Sequence, residues 1–208
     1  MKIKCNTMET LTFQIKTQWN SIPIDHQPVV IRLSRNHDNN HINLEVDSPF
    51  FNDPAAPVGQ VGKPFQQLWD YEGMPVHFIY SCGSVFSSRD NKYLEVELCP
   101  HGQHLVLALN GFRKVMTDEL PLDFKATISG NTWHGSAEIP MEYFPPNTRK
   151  FNAYAIHGSA DKRIYEALYP APHDKHSQPD FHRLEYFQAV EFKDMIKATH
   201  SELWTSTN

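Results

Sequence analysis

Cysteine, glycine, basic charge and long apolar runs are all in short supply in this chain of 208 residues, and each shortage removes a class of protein. The three cysteines, Cys5, Cys82 and Cys99, are an odd number without a close pair, so neither a disulfide framework nor a thiolate zinc site is encoded. Cys99 closes an apolar alternation and reads as a small buried hydrophobe rather than a nucleophile. Lysine and arginine number 19 against 24 aspartates and glutamates, a net charge of −5. A mildly acidic chain has no general field for gripping phosphate, which argues against nucleic acid as a partner. No apolar run reaches the roughly 18–20 residues of a membrane-crossing helix. The stretch MKIKCNTMETLTFQIK has lysines but no apolar segment behind them, and no Asn-x-Ser/Thr sequon occurs; a cytoplasmic, non-membrane protein is expected. G-x-S-x-G, P-loop and G-x-G-x-x-G patterns are missing, and Ser84 in SCGSVFSS has no signature around it. No catalytic residue and no cofactor is indicated, and the reading leans away from an enzyme.

What is present is strand. TLTFQIK (10–16), PVVIRLS (28–34), HINLEVD (41–47), YLEVELC (93–99) and HLVLALN (104–110) carry β-branched and aromatic residues or a period of two. PVHFIY (75–80), DFKATIS (123–129), TWHGSAEIP (132–140), FNAYAIH (151–157) and YFQAVEF (186–192) are further candidates, separated by turn-forming NDP, PHG, NG, SGN, PPN and HGS. Helix patterning is confined to a short turn at MEYF (141–144) and a weak segment at 194–204. Some ten short strands predict a single all-β domain over 1–208, an antiparallel β-sandwich with a Pro-rich loop at 48–68 and a C-terminal tail at 194–208. The loop carries Pro49, Pro54, Pro57 and Pro64, which bars it from a central strand. It is either a functional loop or a wrap that closes one end of the sandwich.

Twelve histidines invite a metal reading. His101 and His104 flank a turn made by Pro100 and Gly102, so their rings need not converge, and His173, His176 and His182 lack zinc-finger spacing; no metal site is expected from them. In YLEVELC the alternation puts Tyr93, Glu95 and Glu97 on one face and Leu94, Val96 and Leu98 on the other. The two glutamates have Cα atoms roughly 6.5–7 Å apart, a spacing that overlaps glycosidase pairs but equally suits a solvated or ligand-contacting face. LWDYE (68–72) sets Trp69 and a tyrosine, flat apolar faces that can stack on a sugar or anchor a peptide, beside the acceptors Asp70 and Glu72. A buried Trp69 is the alternative. Arg163 could clamp a polar ligand or form a surface ion pair.

The order LWDYE, YLEVELCPHGQH, WHGSAEIPMEYFPP, KFNAYAIHGSADKRIYEALYP, PDFHRLEYF resembles an uncharacterised eukaryotic open-reading-frame protein family of unknown function, over nearly the whole chain from Phe13 to Phe192. More remotely, the chain resembles family 9 carbohydrate-binding modules and DOMON-like sandwiches. The shared landmarks are Glu95, Glu97, Pro100 and Gly102, then Trp133, Glu138, Ile139 and Pro140, then Phe151 and Asn152, then Pro170, Phe181 and His182. That likeness implies a β-sandwich with a sugar-type pocket at a loop end and calcium sometimes bound structurally. It also departs: Leu168 stands where an aromatic is common, with Tyr165 and Tyr169 nearby, and Gly73–Phe78 replaces an apolar strand with an internal acid.

Three functions follow as expectations. The first is non-catalytic recognition of a glycan or small polyhydroxylated ligand, with Trp69 and Tyr165 stacking and Asp70, Glu95, Glu97, Arg163 and His182 hydrogen-bonding. The second is a protein-interaction domain using the Pro-rich loop or Met195–Trp204. The third is a hydrolase or isomerase built on Glu95 or Glu97 with His101.

Overall fold

The computed structural model describes residues 10–36, 40–80, 91–192, 195–196 and 201–205; Cys5, Cys82 and Ser84 lie outside them. In chain order the strands are β1 (Thr10–Ile15), β2 (Thr17–Gln18), β3 (Val29–Arg35), β4 (His41–Pro49), β5 (Met74–Tyr80), β6 (Lys92–Leu98) and β7 (His104–Asn110). They continue with β8 (Val115–Thr117), β9 (Asp123–Ser129), β10 (Thr132–Pro140), β11 (Thr148–His157), β12 (Ile164–Ala167) and β13 (Gln188–Ala189). All helical pieces among the described residues are three-residue 3-10 turns. Two antiparallel sheets result, one ordered β1-β3-β4-β10-β9 and the other β2-β12-β11-β5-β6-β7-β8, with β13 added to β11. The all-β sandwich that the strand pattern predicts is the fold observed.

The two sheets are buried differently. In the smaller one, β4 and β10 alternate strictly between buried and open positions, the signature of a sheet with one wet face. Its inward residues, Val29, Ile31, Leu33, Leu44, Val46, Trp133 and Ile139, pack on Val76, Phe78, Leu94, Val96, Val106, Phe151 and Ala153 of the larger sheet. In the larger one, β6 and β7 are buried at nearly every position, so both faces are covered. Its outer residues, Ile79, Tyr93, Leu105, Leu107, Leu109 and Tyr154, form a second apolar cluster with Leu68, Leu184 and Phe187 from the overlying connections. The solvated face that YLEVELC could have presented does not exist.

YFQAVEF shrinks to the two residues of β13, and β2, β8 and β12 are strands too short for a periodic signal to reveal. The Pro-rich stretch wraps one end of the sandwich. Gly62 N–H donates to the Gly102 carbonyl (2.9 Å), Phe65 N–H to that of His104 (2.9 Å), and the Gln103 amide to that of Gly59 (2.7 Å). Gly102 makes this approach possible: its φ is 92°, and a Cβ there would lie 2.7 Å from Val61.

Met195, Ile196 and Trp204 belong to the main core, so this part of the C-terminal segment packs on its own sandwich rather than standing free for a partner. The Trp204 indole N–H donates to the Tyr143 carbonyl at 3.2 Å. Trp204→Ala is expected to cost about 3–5 kcal/mol of stability, the range for deleting a buried large aromatic, read as a lower urea midpoint at unchanged slope.

Candidate functional site

Antiparallel register sets the floor of a cleft on the outer face of the larger sheet. His77 of β5 pairs with Glu95 of β6, which pairs with Leu107 of β7; one step along, Pro75, Glu97 and Leu105 align in the same way. Side chains opposite each other in a ladder share a face, so His77, Glu95 and Glu97 all point outward beneath the covering connections. The cleft above them has a volume of about 320 Å³. Trp69, Asp70, Glu95, Glu97, Tyr165 and His182 all line it, together with Arg113, Asp180 and Phe181.

The rim is aromatic. Trp69 is 42% exposed, so it is not the core plug that its type allows. Phe181 stacks on Tyr154 (4.1 Å between centroids) and meets Tyr165 edge-on at 5.7 Å. Arg163 stands behind the rim rather than in the cleft. Its guanidinium donates to the carbonyls of Asp70 (2.8 Å), Trp69 (2.5 Å), Tyr71 (3.1 Å) and Gly158 (3.1 Å). With both terminal nitrogens engaged by backbone carbonyls, Arg163 braces the Trp69 turn, where the sequence led us to expect a direct hydrogen bond to a ligand. Glu72 likewise turns away from the cleft and accepts the N–H groups of Phe51 (3.0 Å) and Asp53 (3.2 Å), anchoring the Pro-rich loop.

The floor is acidic and buried. Glu95 is 5% exposed and Glu97 2%. His77 Nε2 lies 3.1 Å from Glu95 Oε1. Apart from the contact between the two carboxyls themselves, neither Glu97 oxygen nor Glu95 Oε2 has a hydrogen-bond partner among the described residues. Burial alone raises a carboxyl pKa, but at Glu95 the neighbouring His77 and His182 rings outweigh burial and hold it down at about 2. At Glu97 burial is reinforced by the charge of Glu95 and, further off, of Asp70, so its carboxyl is pushed well above 4.5. Two like groups at i and i+2 on a buried face cannot both ionise cheaply; Glu95 is the carboxylate and Glu97 the acid.

The second wall fixes a histidine tautomer. The Arg113 N–H donates to the Tyr93 hydroxyl at 3.2 Å, and that hydroxyl lies 2.8 Å from His182 Nδ1. The buried phenol's single proton finds its acceptor at Nδ1, which leaves the His182 proton on Nε2. Burial lowers the His182 pKa to about 4, against the opposing pull of Glu95, so the ring is neutral at pH 7. Asp180 receives Arg113 (2.8 Å) and the His182 N–H (2.9 Å), tying the covering segment to the β7–β8 turn.

His77, Tyr93, Arg113 and Asp180 complete the constellation without having been singled out in the sequence. His77 was legible in principle, because in MPVHFI the inward period of Met74, Val76 and Phe78 sends it outward with Pro75. It stands on the strand where the carbohydrate-binding likeness expects an acid. His101 is elsewhere, edge-on to Phe50 at 5.5 Å in the β6–β7 turn, and does not line the cleft, so no pairing with Glu95 or Glu97 forms. His104 is buried beside Phe124, His173 meets Asp174 and His176 meets Tyr186. Among the described residues two groups could hold a metal, His77–Glu95–His182 and His26–His157–Glu166. Both are half nitrogen or more, which does not suit calcium with its six to eight oxygen ligands.

Fold and cleft together define a two-sheet antiparallel sandwich with an aromatic-rimmed, acid-floored site on its outer face. The chain is similar to the crystal structure of "a putative carbohydrate-binding protein from Bacteroides uniformis", with a TM-score of 0.57 over 88% of this chain and 86% of that one, at 12% identity; this likeness is one of fold. No protein-family model matches. The chain is 47% identical over 201 residues to the UPF0462 protein C4orf33 homolog of Mus musculus, covering 93% of this chain and all of that protein. It is 47% identical to UPF0462 protein C4orf33 of Homo sapiens (93% and 96%) and 46% identical to the Danio rerio homolog (93% and 98%). The chain belongs to the UPF0462 (C4orf33) family.

The split of the two carboxyls has a thermodynamic consequence with a definite sign. The folded chain keeps the Glu97 proton where the unfolded chain has lost it, so stability falls as pH rises above 4.5 toward the raised value. Glu97→Gln, whose amide can donate to Glu95 as the acid does, removes that slope. The variant should melt above the parent at about pH 8, by about 1.4 kcal/mol per unit of upward shift removed, and match it near pH 4. Thermal melts across this range check both ends. Glu95→Gln should instead lower stability throughout neutral pH, because it removes the charge facing His77.

Proposed function

We propose that this protein recognises a neutral polyhydroxylated ligand, a glycan terminus or small sugar, in the outer-face cleft without transforming it. The observation that carries this reading is the pair of carboxyls at the floor of an aromatic-rimmed cleft, whose Glu97 oxygens and Glu95 Oε2 have no hydrogen-bond partner among the described residues beyond each other. Buried polar atoms seldom go without partners, and vicinal hydroxyls supply donors for a carboxylate and acceptors for a protonated acid and an imidazole N–H. The flat C–H face of a sugar ring suits Trp69 and Tyr165. The Glu95 charge, with Asp70 and Asp180 beside it, disfavours phosphate and carboxylate ligands. A cleft of this size lies near the lower end of the roughly 300–1,000 Å³ of small-molecule sites and has room for one or two rings. The carbohydrate-binding description of the Bacteroides neighbour supports the same reading.

A hydrolytic reading draws on one observation, the opposed pKa displacements of Glu95 and Glu97, which is how acid and base roles are separated in carboxylate enzymes. Recognition is preferred because both carboxyls stand on one strand beneath the ligand, whereas glycosidase pairs flank the scissile bond.

A glycan array followed by isothermal titration tests the proposal. The parent should bind at least one mono- or oligosaccharide and return it unchanged. Trp69→Ala and Tyr165→Ala should each weaken binding about tenfold, a loss of about 1.4 kcal/mol. Arg163→Ala should weaken it by releasing the Trp69 turn. Silence of the whole array at millimolar concentration contradicts the proposal, and release of free sugar from a bound glycoside moves the site to the hydrolytic reading.

A further inference from the structure

A second constellation lies on the opposite face of the β11–β12 ladder. Ala155 pairs with Glu166 and His157 with Ile164, while their neighbours Ile156 and Tyr165 face the cleft. Alternation therefore sends Glu166 and His157 toward the other sheet, where His26 reaches them from the β2–β3 connection. His26 Nε2 lies 2.9 Å and His157 Nε2 3.0 Å from the same oxygen, Glu166 Oε1. Glu166 is fully buried, and its Oε2 has no hydrogen-bond partner among the described residues.

One ring proton on His26 does not account for this arrangement. His26 Nδ1 lies 2.9 Å from the Gln27 carbonyl, which can only accept, so Nδ1 carries the proton. With that single proton the ring presents a lone pair at Nε2, aimed at a carboxylate oxygen. Two acceptors at hydrogen-bond distance are reconciled by a second ring proton or by a metal ion between them. A second imidazole nitrogen converges on the same oxygen, and all three donor atoms lie within 4.8 Å of one another.

We infer that His26, His157 and Glu166 form a binding site for a divalent first-row transition metal of the zinc class. Two imidazoles and one carboxylate are the donor set such ions prefer over calcium or magnesium. Donors on a tetrahedral zinc sit roughly 3.3 Å apart for bonds of about 2.0–2.1 Å, so each nitrogen–oxygen separation needs only a few tenths of an ångström of opening. The Gln27 carbonyl is the outer partner that fixes a ligating histidine with its free nitrogen inward. Phe51 stacks on His157 at 3.7 Å and 6° and meets His26 edge-on at 5.1 Å, so the site has an apolar wall that holds both rings. The histidine side chains are 17% and 12% exposed, which gives an ion a way in. Three protein ligands leave a fourth position to water, and the ion clips the β2–β3 connection to the sheet edge. Reading along the chain could not find this set, because His26 and Glu166 are 140 residues apart.

The test is zinc uptake by the intact, chelator-stripped protein, measured by elemental analysis and chelator competition, with cobalt as a spectroscopic substitute. The parent should take up roughly one equivalent and show the visible bands of low-coordinate cobalt. His26→Ala and His157→Gln, each folded by circular dichroism, should lose about 100-fold or more in zinc affinity, whereas His182→Ala should retain it. Absence of uptake by the parent would overturn the inference and make the cluster an imidazolium–carboxylate hydrogen bond. Loss of zinc in His182→Ala with retention in His26→Ala would overturn it too, placing the ion in the cleft. Sugar binding by the stripped parent is read separately, so the failure of one proposal is distinguishable from failure of the other.

Discussion

Glu95 and Glu97 stand on one face of one strand, two residues apart, and that face is buried. The rest of the outer surface answers this constraint. A pair of carboxyls out of water cannot carry two charges, so one needs a cationic or hydrogen-bonding neighbour and the other a proton. His77, brought opposite Glu95 by strand register, supplies the first; the proximity of Glu95 supplies the second to Glu97. At neutral pH the division of charge between the two is thus set by the ladder.

Covering that face does more than bury it. The segment from Pro179 to Phe187 and the turn from Leu68 to Tyr71 lie over the sheet but do not meet above Glu95 and Glu97, and the gap is the cleft. Arg163 holds one bank through three consecutive carbonyls, and Asp180 with Arg113 holds the other. The aromatic rim is therefore carried on backbone that is pinned by charge-assisted hydrogen bonds, which favours preorganisation over induced closure. On the far side of the same ladder Glu166 repeats the theme of a buried carboxyl facing two imidazoles.

Much of this was legible in the sequence because strands advertise themselves by period. HINLEVD and TWHGSAEIP alternate and HLVLALN is a short apolar run, and β4, β10 and β7 occupy those spans. Trp69, Asp70, Glu95, Glu97, Tyr165 and His182, picked for their chemistry on predicted strand ends, gather around one cleft. What escaped is long-range. The covering of the outer face, which turns a solvated glutamate pair into a split one, depends on residues some eighty positions downstream. The partners of Arg163, read from the sequence as a ligand or a surface carboxylate, are carbonyls, which have no sequence signature. His26, His157 and Glu166 meet only because β12 folds beside β11 and the β2–β3 connection crosses them.

The central claim is that the cleft floor holds one carboxylate and one acid at neutral pH. Carbon-13 NMR of the glutamate side-chain carboxyls, assigned through Glu95→Gln and Glu97→Gln and followed as pH is raised, reads it directly. The account predicts a Glu97 signal that titrates above the ordinary glutamate range while Glu95 stays ionised throughout. Two signals titrating together near 4.5 would contradict it.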